Sequence, residues 1–162
     1  MSFQEAVRTC LQRKYADFSG RARRSEFWFF VVFTAIAGSV AGILDAILHT
    51  PHLGANGLVG VIVSLALLAP GMAAGVRRMH DTGRRGWIAV AVYVVGTLSG
   101  FVAGGGVAVS GLLGLVTVVL GITFLVFAVQ DSKPDNEYGP NPKGLGAGGY
   151  QQMPPPAAPP QY

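Results

Sequence analysis

From Gly86 to Gln130 the chain carries no charged side chain, and a run of that length and apolarity cannot be laid against water. A helix crosses the roughly 30 Å hydrocarbon layer of a bilayer with about 20 mostly apolar residues, so the run is too long for one crossing. Gly104-Gly105-Gly106 stands in its middle as the natural turn and divides it into spans at 87–103 and 107–129. Upstream, 27–48 holds one charge, Asp45, near its far end, and 57–76 holds none. The sequence therefore predicts an all-α membrane protein, a four-helix transmembrane bundle occupying 27–130. A soluble hairpin of shorter helices is the competing reading. It fails because charged residues make up only 12% of the chain, about half the share of a soluble domain, which leaves no polar face for water. A single cysteine excludes a disulfide framework and a Cys-rich metal module.

The basic residues orient the spans. Arg8, Arg13, Lys14, Arg21, Arg23 and Arg24 precede the first, Arg77, Arg78, Arg84 and Arg85 join the second to the third, and Lys133 and Lys143 follow the fourth. The connections around His49–Asn56 and Gly104–Gly106 contain none. By the positive-inside rule both termini and the middle loop are cytoplasmic. Three or five spans would scatter the same clusters over both sides.

Residues 1–26 read as a cytoplasmic amphipathic helix followed by an Arg-rich entry segment. Phe3, Val7, Leu11, Tyr15 and Phe18 recur at helical spacing, while Arg8, Gln12, Arg13 and Asp17 fall off that face. Such a helix suits the surface of an anionic inner leaflet, with packing on another protein segment as the plainer alternative. The mix of basic and acidic residues there, with no small-residue cleavage site after an apolar core, does not fit a cleaved signal peptide. Residues 131–142 read as a cytoplasmic turn motif. The Gly/Pro-rich segment 143–162 reads as a solvated, disordered tail of polyproline II character. Gly38/Gly42, Gly71/Gly75, Gly96/Gly100 and Gly100/Gly104 are small-xxx-small pairs that let helices approach closely, within one chain or between the copies of a homo-oligomer. Pro70 is expected to kink the second span.

Chemistry-bearing side chains collect in two cytoplasmic segments. Arg21, Arg23, Arg24, Glu26 and Trp28 lead into the first span; Arg77, Arg78, His80, Asp81, Arg84, Arg85 and Trp87 join the second and third. Each segment sets arginines and a carboxylate before an interfacial Trp. Paired across the segments, Glu26 and Asp81 would form a latch with arginines. Arginines left over would offer planar donor forks to anionic headgroups or to a partner. His80-Asp81 also has the makings of an acid–base pair, but adjacent residues rarely face one another and no nucleophile accompanies them. At the opposite end Asp45, His49 and His52 would share a face of a continuous helix, a weak metal-ligating pattern that Pro51 interrupts. No phosphate-binding glycine loop, dinucleotide fingerprint or nucleophile elbow occurs. No catalytic residue, cofactor or resident metal is expected, and the basic balance belongs to a membrane face rather than to a nucleic-acid site.

Three segments also carry a resemblance. Phe18-Ser19-Gly20-Arg21-Ala22-Arg23-Arg24-Ser25-Glu26-Phe27-Trp28, then Arg77-Arg78-Met79-His80-Asp81-Thr82-Gly83, then Asn136-Glu137-Tyr138-Gly139-Pro140-Asn141-Pro142 resemble, in order, the domain of unknown function 805 family. The likeness covers about residues 1–143, with Arg85 and Ile88 departing from the family's usual Ser and Trp. It implies a small multi-pass protein of the bacterial inner membrane with no established activity, substrate or catalytic residue. The expected function is a non-enzymatic membrane component whose cytoplasmic Arg/Glu/His/Asp cluster binds anionic lipid headgroups or a partner. The alternative is a subunit of a small-solute transporter or channel that works as an oligomer.

Overall fold

In the computed structural model, residues 1–103 and 107–144 are described. The glycine turn expected at Gly104–Gly106 and nearly all of the expected Pro-rich tail lie outside them. The elements run α1 (Phe3–Arg8), a π-helical turn (Thr9–Arg13), α2 (Arg24–Leu48), a minimal hairpin of β1 (His52–Leu53) and β2 (Asn56–Gly57), α3 (Leu58–Asp81), α4 (Trp87–Val102) and α5 (Val107–Val129). Among the described residues three helices are long and apolar enough to cross a membrane: α2, α3 and, over Ala108–Ala128, α5. The fourth apolar helix, α4, has 16 residues, about 24 Å of rise against the roughly 30 Å of hydrocarbon.

Two helices overrun their apolar stretches, and the overruns build the site. The first, α2, starts at Arg24, with Arg23 extended as its N-cap and Glu26 in its first turn, where a carboxylate favours the helix N-terminus. The second, α3, runs five residues past Val76 and takes Arg77, Arg78, His80 and Asp81 into its last turns. It stops at a Schellman motif: Gly83 at φ +68 donates its amide to His80 O (3.0 Å), and the Arg84 amide reaches Met79 O (2.9 Å).

The central helix is α3, with α2 on one side and α4 on the other, while α5 packs on α4. Phe27, Val76, Met79, Ala89, Phe124 and Ala128 form a buried cluster at the basic end. Close packing of α3 on α4 depends on Gly71 and Gly75: a Cβ at Gly71 would stand 2.9 Å from the Tyr93 ring. A Cβ at Gly38 or Gly42, by contrast, would meet no atom of another element within 4 Å among the described residues. Outward positions such as Val32, Ile36, Ile43, Ile62, Leu112 and Ile122 are exposed apolar side chains, as a lipid-facing surface requires.

The N-terminal segment differs from the sequence expectation. Its helix, started by a Ser2/Glu5 capping box, ends at Arg13, where Lys14 leaves helical geometry (φ −136, ψ 41). Tyr15 and Phe18 therefore lie beyond it, and the long apolar face read through residue 18 does not form. Ala6, Thr9 and Cys10 are buried instead, Cys10 with Phe30 of α2 and Ala74 of α3. Tyr15 has its own role. Pro70 has no amide hydrogen to give the carbonyl four residues back, and the Tyr15 hydroxyl donates to that carbonyl, Ala66 O, at 2.5 Å.

At the other end α2 closes on His49 in the left-handed region (φ 49), ahead of Pro51. The Asp45 carboxylate caps α3: it accepts from the amides of Val59 (2.9 Å) and Gly60 (2.8 Å) and from the Thr50 hydroxyl. Gly57 leaves room for it, since a Cβ there would come 2.3 Å from Asp45 Cγ. The tip of the hairpin docks on α4, with the Ala55 amide donating to Gly100 O at 2.9 Å.

Candidate functional site: a buried ionic knot at the basic end

Extension of α3 past its apolar stretch places Arg77, Arg78 and Asp81 on its inward side, all with no exposed surface. A buried charge is tolerated only when it is paired and hydrogen-bonded; Arg78 and Asp81 pair with each other one turn apart on α3, and their other partners and that of Arg77 come from segments distant in the chain. Asp81 accepts from Arg21, whose Nε and Nη2 both lie 3.0 Å from Oδ1. It also accepts from Arg78 Nη1 and from the Ser132 hydroxyl, the latter at 2.6 Å.

The remaining donors of both guanidinium groups go to backbone carbonyls. Arg21 Nη1 donates to Pro134 O and Gly139 O, each at 3.0 Å. Its Nη2 donates to Lys133 O (2.5 Å) and Asp81 O (3.2 Å). Arg78 serves the end of α5, donating from Nε to Ala128 O (3.0 Å) and from Nη2 to Gln130 O. These are carbonyls that a helix C-terminus leaves without partners, where positive charge is favoured. Main-chain bonds follow the same lines, Ala22 N to Arg77 O (3.1 Å) and Lys133 N to Asp81 O (3.0 Å).

Arg77 makes a simpler tie. Its Nη1 donates to Glu26 Oε1 and its Nη2 lies 3.8 Å from Cys10 Sγ, while its Nε is buried without a partner. Burial, and then the neighbouring Glu26 carboxylate, push the Cys10 thiol up from its ordinary pKa, so it stays a neutral packing group.

His80 faces away from Asp81. Its ring stacks on Tyr138 at 3.9 Å and 2°, its Nδ1 is 3.2 Å from Gly20 O, and its carbonyl accepts from Asn136 Nδ2 at 2.9 Å. The two side chains thus have separate partners, and the geometry holds no His–Asp acid–base pair. Arg84 sits at the rim, donating to Gln130 Oε1 at 2.7 Å with its guanidinium 3.9 Å above the Phe127 ring. Arg23, Arg24 and Arg85 are exposed, and among the described residues their side chains have no bonding partner. Trp28 packs edge-on against Phe27 (5.3 Å, 72°), and Trp87 is 62% exposed.

Asp45, His49 and His52 lie at the opposite end; Asp45 and His52 line one cleft, but the three do not form a metal-ligating group. Asp45 is committed to α3 amides, His49 Nδ1 is 3.0 Å from Ile47 O, and no group of metal-ligating side chains occurs among the described residues. Ser132, Asn136, Tyr138 and Cys10 belong to the knot but carry no signal of it in the sequence. The 131–142 segment announces only a Gly/Pro/Asn turn, because what it contributes is chiefly backbone carbonyls.

The comparisons with known proteins fall on these same segments. The family described as "Protein of unknown function (DUF805)" matches residues 15–140. The chain is similar to the inner membrane protein YhaH of Escherichia coli K12, 31% identical over 132 residues, 81% of this chain and 91% of that protein. It is also similar to the inner membrane protein YhaI of the same strain, 37% identical over 84 residues, 51% of this chain and 66% of that one. No solved structure matches. Relatives of the inner membrane and several apolar helices together make this a multi-pass inner-membrane protein.

Proposed function

Because this chain belongs to the DUF805 family, we propose that the three segments identifying the family are one device: a non-enzymatic cytoplasmic clamp that holds four membrane crossings and presents a rim of cations to anionic lipid headgroups. In this reading α4 is the fourth crossing, shortened to about 24 Å, and both termini and the α3–α4 connection face the cytoplasm. Residues 1–26 form the entry segment, 27–130 the transmembrane domain, 131–142 the strap of the clamp and 143–162 the tail. The observation that carries the reading is the division of labour among the arginines. Arg21, Arg77 and Arg78 are buried and bonded within the protein, while Arg23, Arg24 and Arg85 are exposed beside Trp28 and Trp87 with their forks unused. Headgroup contact is therefore assigned to the exposed set.

Native mass spectrometry of the protein from mixed phosphatidylglycerol/phosphatidylcholine nanodiscs tests this. The triple variant R23Q/R24Q/R85Q is expected to lose most bound phosphatidylglycerol while melting within a few degrees of the parent protein. Unchanged phosphatidylglycerol retention refutes the headgroup role. For orientation, a reporter joined after Tyr162 is expected to be active only in its cytoplasmic form, and one at Gly54 only in its exported form. An exported C-terminus contradicts the four-crossing arrangement.

A further inference from the structure

A cleft of about 280 Å³ lies between α3 and α4 at the end remote from the knot, beneath the β1–β2 hairpin. A second, of about 250 Å³, lies on the α2 side of α3, and Asn56 and Ser64 line both. Hydroxyl groups inside a bilayer satisfy themselves within the protein, because no water is there to do so. This chain follows that rule elsewhere. Thr34, Ser39, Thr97, Thr117 and Thr123 each donate to a carbonyl one turn back at 2.7–2.9 Å, and Ser99 bonds Thr117 at 2.9 Å. Ser64 breaks the rule: about 9 Å along α3 by helix rise, its hydroxyl has no partner among the described residues. The Asn56 carboxamide and the Tyr93 hydroxyl, which line the same cleft, have none either.

Three uncommitted polar groups therefore converge on one space whose other walls are Val61, Val92, Phe101, the bare backbone of Gly96 and Gly100, and Thr97, whose hydroxyl is spent on Tyr93 O. Apolar walls with a few convergent polar groups are the signature of a small-molecule site. The groups also define the ligand. Carboxamide and hydroxyls both donate and accept, and among the described residues no charged side chain lines this cleft. In the adjoining cleft both Asp45 oxygens are already occupied by amides and the Thr50 hydroxyl. We infer that the α3–α4 cleft under the hairpin is a binding site for a small uncharged, hydroxyl-rich group. Two sources share that chemistry, a free polyol and the glycerol or sugar headgroup of a neutral lipid.

The test uses the full chain in phosphatidylcholine nanodiscs, with saturation-transfer NMR on glycerol and glucose as free probes. Native mass spectrometry after loading with diacylglycerol or monoglucosyl diacylglycerol supplies the lipid arm. Binding is expected in one of the two arms, with S64V and Y93F each weakening it at least tenfold. S64V is expected to melt at or above the parent temperature, since it removes an unsatisfied hydroxyl rather than a structural bond. That keeps loss of binding separable from loss of fold. Glucose 6-phosphate is expected not to compete. Silence in both arms, or binding that S64V and Y93F leave unchanged, overturns the assignment and leaves a water-filled cleft; neither result bears on the cation rim at the opposite end.

Discussion

Replacing Asp81 by Asn is expected to lower the stability of the detergent-purified protein by on the order of 3–5 kcal/mol, the cost of breaking a buried ion pair from one side. Asp81 has no exposed surface and faces two guanidinium groups, Arg21 and Arg78, with the Ser132 hydroxyl as a third donor. An Asn keeps one accepting oxygen but turns an NH2 toward a cation and leaves two buried positive charges without a counterion. Repulsion between them would also loosen the segment after α5, because Arg21 holds Lys133, Pro134 and Gly139 by their carbonyls. D131N provides the contrast. That carboxylate pairs with Lys143 on an open surface, at 64% and 35% side-chain exposure, where an ion pair contributes roughly 0–1 kcal/mol. Equilibrium unfolding in mild detergent measures both.

R78K is expected to cost about 3 kcal/mol and R77K about 1 kcal/mol, although the two arginines are adjacent and equally buried. Arg78 uses its whole fork: Nε and Nη2 reach two carbonyls at the end of α5 while Nη1 reaches Asp81. A lysine is a point charge on a flexible stem and cannot span those acceptors at once, so charged hydrogen bonds of about 1.5–3 kcal/mol each are lost. Arg77 spends one nitrogen on Glu26, a second on a weak sulfur contact, and leaves Nε unpaired, which a lysine can largely replace. Equal losses at both positions would mean that charge, not fork geometry, is what the knot needs.

The apolar spans were legible because hydropathy is a local property: the residues that meet lipid declare themselves one by one. What followed Val76 was not legible in that way. Arg77, Arg78 and Asp81 read as part of the connection that joins two spans, because charge normally ends a span, yet α3 continues through them and buries them. The forks of Arg78 and of Arg21 beside Asp81 are satisfied largely by carbonyls of residues 128–139 that no side-chain pattern reveals. The same holds for Tyr15, read as one member of an apolar stripe. Its hydroxyl is placed by a carbonyl that Pro70, 55 positions later, leaves free. The sequence reading set Glu26 and Asp81 among arginines of the opposite segment, but it could not divide those arginines into buried ties and exposed cations. That division is a matter of which helical face each occupies and how far α3 extends.

The clamp requires that Arg21 and Asp81, 60 residues apart, be energetically one unit that ties the segment before α2 to the end of α3. A double-mutant cycle on R21Q and D81N tests it most directly, by unfolding of the parent, both single variants and the double variant in one detergent. The account predicts that the double variant is less destabilised than the sum of the two singles by 1 kcal/mol or more, within the 0.5–3 kcal/mol range of directly bonded partners. Losses that add to within about 0.5 kcal/mol, as for sites that share no contact, would contradict it.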